Sequence, residues 1–153
     1  MPVKIHIGSD HAGLDFKNKI VEHLTSLGHT VQDHGPYTYD PLDDYPVFCI
    51  PAAAAVVAEP GSLGIVLGGS GNGEQIAANK VTGVRAALVW SVETAKLARE
   101  HNNANVMAIG GRMHTEEFSL ELVDTFIATP FPGDERHVRR INMVSKYEET
   151  GAL

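Results

Sequence analysis

The chain is poor in the features that mark secreted or membrane proteins. It has a single cysteine, Cys49, so no disulfide can form within its 153 residues. Its longest apolar run, residues 47–58, is interrupted by Pro51 and is far shorter than the roughly 20 residues of a membrane-spanning helix. The N-terminal stretch 1–9 is too short for a signal peptide and runs directly into Asp10. These absences predict a cytoplasmic protein without a membrane partner.

Positive charge and metal-ligand spacings are also scarce. Twelve Lys and Arg residues stand against nineteen Asp and Glu residues, and the resulting net charge of −7 argues against a nucleic-acid-binding surface. The eight histidines are many for this length, but no two of them form an H-x-x-x-H spacing with a third ligand. The sequence therefore predicts neither a nucleic-acid partner nor a metal site.

Strand and helix patterns alternate along the chain. A content of 43% hydrophobic and 20% charged residues is ordinary for one globular domain, here 1–153. The predicted strands cover 3–7, 30–33, 63–67, 86–90 and 106–109. The predicted helices cover 16–27, 46–59, 75–80, 91–100, 115–127 and 133–147. This alternation predicts an α/β fold in which a parallel sheet is covered by helices on both faces.

Several single residues refine this prediction. Ser91 and Thr115 precede helical patterns and are predicted to cap them, and Gly28 is predicted to end the first helix. Pro51 is predicted to kink or restart the second helix. Trp90 is expected in the core, as a large aromatic side chain.

Four polar clusters mark the predicted ends of the strands. Asp10 and His11 follow the first strand, residues 70–74 follow the third, and Arg112 follows the fifth. The fourth cluster, 101–102, comes just before the fifth strand. Because ligands of parallel sheets bind beyond the carboxyl ends of the strands, we expect these clusters to converge on one site.

The most informative cluster is the glycine-rich segment 68–74, with the sequence Gly-Gly-Ser-Gly-Asn-Gly-Glu. Four glycines in six residues let backbone N–H groups turn inward and approach an anion, and the helix that follows adds further free donors. Glu74 stands at the end of this anion site. A carboxylate beside an anion hole is suited to proton abstraction next to a carbonyl.

The same segment has a plainer interpretation, which is a tight turn whose glycines only permit close packing. Its spacing, with glycines at 69, 71 and 73, differs from the G-x-G-x-x-G of dinucleotide-binding turns. No Gly-Lys-Ser/Thr follows, so it is not a P-loop either. The residues alone leave both interpretations open.

Five segments in this order resemble the ribose/galactose-phosphate isomerase family, and within it the type B ribose-5-phosphate isomerases. They are Gly8-Ser9-Asp10-His11-Ala12-Gly13, Asp43-Asp44-Tyr45-Pro46, Gly68-Gly69-Ser70-Gly71-Asn72-Gly73, His101-Asn102-Asn103-Ala104-Asn105 and Ile109-Gly110-Gly111-Arg112. The resemblance implies a Rossmann-like three-layer α/β/α sandwich with a five-stranded parallel sheet and an extra C-terminal helix. It also implies sugar-phosphate substrates and no metal or nucleotide cofactor.

The resemblance further implies a homodimer with active sites at the subunit interface. The C-terminal helix, about 133–150, is expected to pack on the partner subunit. The activity implied is interconversion of D-ribose 5-phosphate and D-ribulose 5-phosphate through a cis-enediolate.

One position departs from the commoner family pattern. Many members carry a cysteine base at the start of the glycine segment, where this chain has Gly68. The only cysteine lies instead in the predicted helix 46–59. The chain resembles the actinobacterial-type branch, in which a glutamate takes the role of the cysteine, and Glu74 is the residue that matches.

The expected catalytic residues are Glu74, Ser70, His101 and Asp10. Glu74 would move a proton between C2 and C1, unless it is only a glutamate favoured by the helix dipole. Ser70 and the backbone N–H groups of the glycine segment would stabilise the enediolate, although a loop serine can also bond its own backbone. His101 would exchange a proton with the ring oxygen during ring opening, and Asp10 would assist at the anomeric hydroxyl.

The expected substrate-binding residues are His11, Tyr45, Gly69, Gly71, Asn72, Gly73, Asn102, Arg112, Arg136 and Arg140. The three arginines are the candidates for the phosphate, because a planar guanidinium suits phosphate oxygens. Arg136 and Arg140 are four residues apart and lie on one face of the last helix. For Arg139 a solvated helix face is the better interpretation.

Two other functions compete with a pentose phosphate isomerase. The first is an isomerase of hexose 6-phosphates, those of galactose or allose. The second is a non-catalytic module that binds a sugar phosphate or a nucleotide, which would have no need for Glu74 beside the glycine segment or for His101.

Overall fold

The computed structural model describes all 153 residues and contains one sheet flanked by helices. The strands are β1 (Lys4–Ser9), β2 (Thr30–Asp33), β3 (Leu63–Gly68), β4 (Ala86–Leu88) and β5 (Val106–Gly110). The helices are α1 (Leu14–Ser26), α2 (Pro46–Ala58), α3 (Asn72–Ala78), α4 (Val92–Asn102), α5 (Glu116–Ala128) and α6 (Glu135–Thr150). All strand pairs are parallel, in the order β2-β1-β3-β5-β4, which confirms the predicted α/β class.

Apolar side chains fill both faces of the sheet. On one face, residues of β1, β3 and β5 pack against α1, α4 and α5. On the other face, Val66, Val106 and Ala108 pack against the small side chains of α2 and α3. Burial on both faces explains why β3 and β5 are continuous apolar runs with no alternation. The result is the expected three-layer sandwich, and no helix in it is long and apolar enough to cross a bilayer.

Three local predictions differ from the structure. Pro51 lies inside α2, which excludes the restart that was one of the two alternatives there, the other being a kink. The helix continues because the packing of α2 on the sheet offsets one missing backbone hydrogen bond. Strand β4 ends at Leu88, and Trp90 is 61% exposed, so the prediction that Trp90 belongs to the core is wrong. The last helix begins at Glu135, two residues later than predicted.

The open edge of β4 is covered by side chains of α3 and the turn after it. Asn79 donates its amide to the carbonyl of Ala86 at 2.9 Å and accepts the N–H of Ala86 at 2.8 Å. Gln75 donates to the same carbonyl at 3.1 Å. Both backbone groups of Ala86 that point away from the sheet therefore have partners.

The strand order reverses between β1 and β3. From β1 the chain moves outward to β2, and from β3 it moves to the other half of the sheet, where β5 and β4 lie. Such a reversal opens a crevice at the carboxyl ends of the two central strands, where ligands of open α/β sheets bind. The loops after β1 and β3 line that crevice.

Candidate active site

The carboxyl group of Glu74 lies against the backbone of Gly68. Glu74 is the third residue of α3, and a Cβ added at Gly68 would overlap its Oε1 and Cδ atoms. Any side chain at position 68 would therefore occupy the space that the carboxyl group fills. The glycine is required here for close approach, and the base candidate stands at the very end of β3.

Burial changes the acidity of Glu74. Only 4% of the residue is exposed. Burial, with the negative charge of Asp10 as a smaller contribution, raises the pKa of Glu74 above its usual range, and a bond from its own backbone N–H partly opposes the rise. A raised pKa makes this carboxylate a stronger base than an exposed glutamate.

The glycine segment packs tightly against the neighbouring loops. Gly71 has a φ of +83°, and a Cβ there would lie 2.9 Å from the carbonyl carbon of Ile109. A Cβ at Gly73 would lie 2.7 Å from the ring of Tyr45, which places the Tyr45 ring against the start of α3. The hydroxyl of exposed Ser70 accepts the N–H of Asn72 at 3.3 Å, so its bond to its own backbone is present.

The loop after β5 runs alongside the glycine segment. The N–H groups of Gly111 and Arg112 donate to the carbonyls of Gly68 and Gly69, at 2.8 and 3.1 Å. The Nη1 atom of Arg112 would lie 3.7 Å from a Cβ at Gly69. The backbone of Arg112 is thus fixed beside the segment, and its exposed guanidinium can meet an anion bound by the backbone N–H groups.

The loop after β1 brings Asp10 and His11 to the carboxyl ends of the strands, where the glycine segment also begins. Asp10 accepts the N–H groups of Ala12 and Gly13, at 2.9 and 3.3 Å, and so caps a short 3-10 helix, His11–Gly13. His11 Nδ1 lies 2.7 Å from Oδ1 of Asp43. Sequence reasoning did not single out Asp43, although it is the first residue of one of the five segments on which the resemblance depends.

Asp10, His11 and Asp43 form the only group that could hold a metal ion, with one ligand atom from each residue within 4.8 Å of the others. Asp10 and His11 are adjacent, but Asp43 is 32 residues from His11, so no spacing rule could reveal the group. Backbone N–H groups and the bond between His11 and Asp43 already engage these ligand atoms. Oδ2 of Asp43 is buried and has no hydrogen-bond partner.

His101 and Asn102 lie at the amino end of β5, so they do not stand beyond the carboxyl ends of the strands of their own chain, where we expected them. They end α4, and the carbonyl of Asn102 accepts Nε of Arg85, which directly precedes β4, at 3.0 Å. The reason is that α4 runs back along the sheet and returns to the amino ends of the strands. The five residues of β5 separate the amino and carboxyl ends of the strands by about 16 Å.

His101 is instead associated with α6. Its ring stacks on the ring of His137, with centroids 4.3 Å apart and planes 15° from parallel. Burial and the neighbouring positive groups, His101 first among them, lower the pKa of His137. Arg140 lines a cavity of about 470 Å³ together with Asn102, and Arg136 lies exposed one turn before Arg140.

The candidate residues therefore form two groups. The first, called the carboxyl-edge group, lies at the carboxyl ends of the strands. It contains Asp10, His11, Tyr45, Gly69, Ser70, Gly71, Asn72, Gly73, Glu74 and Arg112. The α4–α6 group contains His101, Asn102, Arg136 and Arg140. The first group combines a buried carboxylate, a glycine-rich backbone and a guanidinium at the crevice of a parallel sheet, an arrangement suited to moving a proton beside a bound anion.

The chain belongs to the ribose/galactose isomerase family, whose profile matches residues 5–144. Ribose-5-phosphate isomerase B of Mycobacterium tuberculosis (strain H37Rv) is 59% identical over 148 residues, which cover 97% of this chain and 91% of that protein. A galactose-6-phosphate isomerase subunit of Clostridium acetobutylicum is 44% identical over 127 residues, 83% of this chain and 73% of that protein.

Solved structures agree with this assignment. Ribose-5-phosphate isomerase B of Mycoplasma genitalium, with bound ribulose-5-phosphate, superposes with a TM-score of 0.93 at 44% identity and covers 98% of this chain and 99% of that chain. The enzyme of Clostridium thermocellum also has a TM-score of 0.93, at 39% identity, over 98% of this chain and all of the other. The Rossmann-like fold implied by the sequence is thereby confirmed.

Proposed function

We infer that the protein is an aldose–ketose isomerase that interconverts D-ribose 5-phosphate and D-ribulose 5-phosphate. The observation that carries this inference is the carboxyl group of Glu74, buried against Gly68 at the end of the central strand β3. Ribose-5-phosphate isomerase B relatives at 58 and 59% identity and a related structure with bound ribulose-5-phosphate support the substrate. A non-catalytic binding module would have no use for a buried carboxylate with a raised pKa.

The proposed reaction moves one proton between two carbons. Glu74 removes the proton from C2 of the open-chain aldose, and the electron pair forms the C1–C2 double bond of a cis-enediolate. Glu74 then returns the proton to C1 while the carbonyl forms at C2. A proton must also pass from O2 to O1, and Ser70 stands at the glycine segment for this relay. Backbone N–H groups of the segment stabilise the negative oxygens.

The proposed substrate contacts divide between the two groups of residues. Asp10 serves the anomeric hydroxyl, Tyr45 a sugar hydroxyl, and Arg112 the phosphate, all from the carboxyl-edge group. His101 opens the furanose ring by exchanging a proton with the ring oxygen. Arg140 and its neighbours in the α4–α6 group complete the phosphate site.

A homodimer with shared active sites is part of this proposal. His101 lies about one strand length, roughly 16 Å, from the carboxyl edge of its own sheet, so it can act on the sugar only from a partner subunit. The exposed apolar side chains Met143, Val144 and Tyr147 on α6 provide a surface for such a partner. A cytoplasmic location is also proposed, since the only cysteine is a buried free thiol.

The alternative is an isomerase of hexose 6-phosphates. It is favoured by one observation, the galactose-6-phosphate isomerase relative at 44% identity. A phosphate site and Glu74 fix the two ends of an open chain. One additional carbon must buckle to keep C1 and C2 at the base, and a misplacement of about 1 Å can reduce the rate on the order of 100-fold.

The test is a side-by-side measurement of kcat/KM for the 5-phosphate of ribose and the 6-phosphates of allose and galactose. We expect the pentose phosphate to be the best substrate. Glu74→Gln, purified in parallel, controls for contaminating host isomerases. A higher kcat/KM for a hexose phosphate would assign the alternative function, and turnover of none of the three would leave a binding module.

A further inference from the structure

We propose that Asp43 is a positioning residue that orients His11 toward the sugar phosphate. The proposal rests on the isomerase function above, in which His11 is a substrate-binding residue. Asp43 lies in the loop between β2 and α2, and His11 lies in the loop after β1, so the bond between them joins two separate walls of the crevice.

The contact between the two residues is double. Oδ1 of Asp43 accepts the backbone N–H of His11 at 3.0 Å and lies 2.7 Å from Nδ1 of its ring. The same oxygen therefore fixes both the main chain and the side chain of His11. The Asp43 side chain is 8% exposed and the His11 side chain 25% exposed, so one partner is a buried anchor and the other reaches the crevice.

This geometry decides which ring nitrogen of His11 is available. A carboxylate can only accept, so Nδ1 must carry the proton that it donates to Asp43. Nε2 is then the nitrogen left to contact a ligand. The ring of Tyr39 stands edge-on to the His11 ring, with centroids 6.0 Å apart, and borders it on another side.

A purely structural role explains Asp43 poorly. Its second oxygen, Oδ2, is buried and has no hydrogen-bond partner, and such an atom destabilises a folded protein. A neutral amide or hydroxyl could anchor the loop to the backbone N–H without a buried charge. The carboxylate gains what these groups lack, a strong, directed bond to the histidine ring.

The neighbourhood of His11 is that of the substrate. Asp10, the proposed ligand of the anomeric hydroxyl, offers an oxygen within 4.8 Å of the ligand atoms of His11 and Asp43. A His11 ring that rotated freely would contact the sugar phosphate only part of the time. Fixing the ring in advance removes that loss from the binding step.

A double-mutant cycle tests the proposal with ribose 5-phosphate as the varied substrate. We expect Asp43→Ala to raise KM about tenfold, the effect of one charge-assisted hydrogen bond, with a smaller change in kcat. Asp43→Asn, which keeps an acceptor oxygen, should retain more of the binding. Asp40→Asn removes a charge from the exposed part of the same loop and should match wild type.

The decisive comparison is made in a His11→Ala background. If Asp43 acts through the ring, Asp43→Ala should cost less than about twofold there, because the ring it positions is gone. An equal cost in both backgrounds would overturn the proposal, since the backbone bond to residue 11 survives His11→Ala. If Asp43→Ala does not fold, the cycle is run with Asp43→Asn. Wild-type turnover of ribose 5-phosphate separately tests the isomerase function.

Discussion

Gly68 and Glu74 are coupled at the level of single atoms. The carboxyl group fills the space of a side chain at position 68, the position at which the family resemblance implies a cysteine base in many members. The proposed base is thus held at the end of β3 from a different position in the sequence. Cys49 cannot replace it, because it is buried in α2, and burial with the negative charges of Glu74 and Asp10 raises the pKa of its thiol.

Glu74→Gln should reduce kcat by about 10² to 10⁴, the usual contribution of a general base. The amide keeps the shape of the side chain and loses its basicity, so KM should change little. Steady-state kinetics measure both constants. Glu93→Gln, in the exposed first turn of α4, is the matched control and should keep full activity. A kcat near that of wild type in Glu74→Gln would show that another group is the base.

Gly68→Ala should reduce kcat nearly as much as the loss of Glu74 itself. The new methyl group overlaps the carboxyl position and forces Glu74 away from the substrate, and a shift of about 1 Å can cost on the order of 100-fold in rate. Kinetics and circular dichroism of the variant check the rate and the fold. Full activity in a folded variant would contradict the close approach that the structure shows.

The raised pKa of Glu74 makes activity pH-dependent in a defined direction. The base works only when ionised, so the acidic limb of kcat/KM against pH should lie above 4.5, the ordinary value for glutamate. The limb should move back toward that value when the site is opened to water by Tyr45→Ala. A pH profile flat down to the ordinary glutamate range would contradict the assignment.

Stability should depend on pH through the same group. Between the ordinary and the raised pKa the native state binds the proton more tightly than the unfolded chain. The contribution of Glu74 to stability is therefore full below the ordinary value and is lost as the pH rises through the raised pKa. As the pH rises through this range, the melting temperature of Glu74→Gln should increase relative to that of wild type. Thermal unfolding at several pH values measures this difference.

At the scale of helices and strands, periodicity and caps could be predicted from the sequence because they depend on local chemistry. Ser91 and Thr115 cap α4 and α5 as expected, accepting the N–H groups of Thr94 and Phe118 at 3.1 and 3.2 Å. The position of His101 at the amino end of β5 also follows from the predicted parallel alternation, since a helix between two parallel strands returns to their amino ends. Its stacking on His137 could not be predicted, because it depends on how α6 packs. Asp43 was missed because its partner is 32 residues away.

Helix α6 has few buried contacts within its own subunit. It packs on α4, and His137 is its one buried residue. Its exposed face carries Arg136, Arg139 and Arg140. The sequence predicted the helix and its arginines, but the role of each arginine depends on what covers that face.

Arg140→Ala should raise KM for ribose 5-phosphate by about tenfold, the cost of one charge-assisted bond to a phosphate, and leave kcat less affected. The loss should shrink for unphosphorylated ribose. Arg139→Ala removes a guanidinium paired with Glu135 on the exposed surface and should have little effect. Equal losses with and without the phosphate group would disprove a phosphate role for Arg140.

At the scale of the whole molecule, the two groups of residues predict complementation between inactive subunits. Glu74→Gln and His101→Asn should each be inactive alone, and mixing them by co-refolding should restore activity. With random pairing, half of the dimers are hybrids and each has one intact site of two, so about a quarter of wild-type activity is expected.

The control for this experiment pairs two variants of the carboxyl-edge group. In a hybrid of Glu74→Gln with Ser70→Ala, each shared site carries one of the two defects in its carboxyl-edge group, so no intact site can form and no activity should return. Recovery in this mixture, or none in the first, would contradict a site shared between subunits. Ultracentrifugation of each mixture shows whether dimers have formed.

The side chain of Asn79 occupies backbone groups of β4, the strand at one edge of the sheet. Its side-chain amide bonds the N–H and the carbonyl of Ala86 that point away from the sheet, as a neighbouring strand would. These two groups are therefore not available to pair with another chain. A second copy of the protein therefore cannot pair its backbone with Ala86 while these bonds are in place. Association beside Ala86 then depends on side chains rather than on backbone pairing, which favours a closed pair of subunits over a sheet extended from copy to copy.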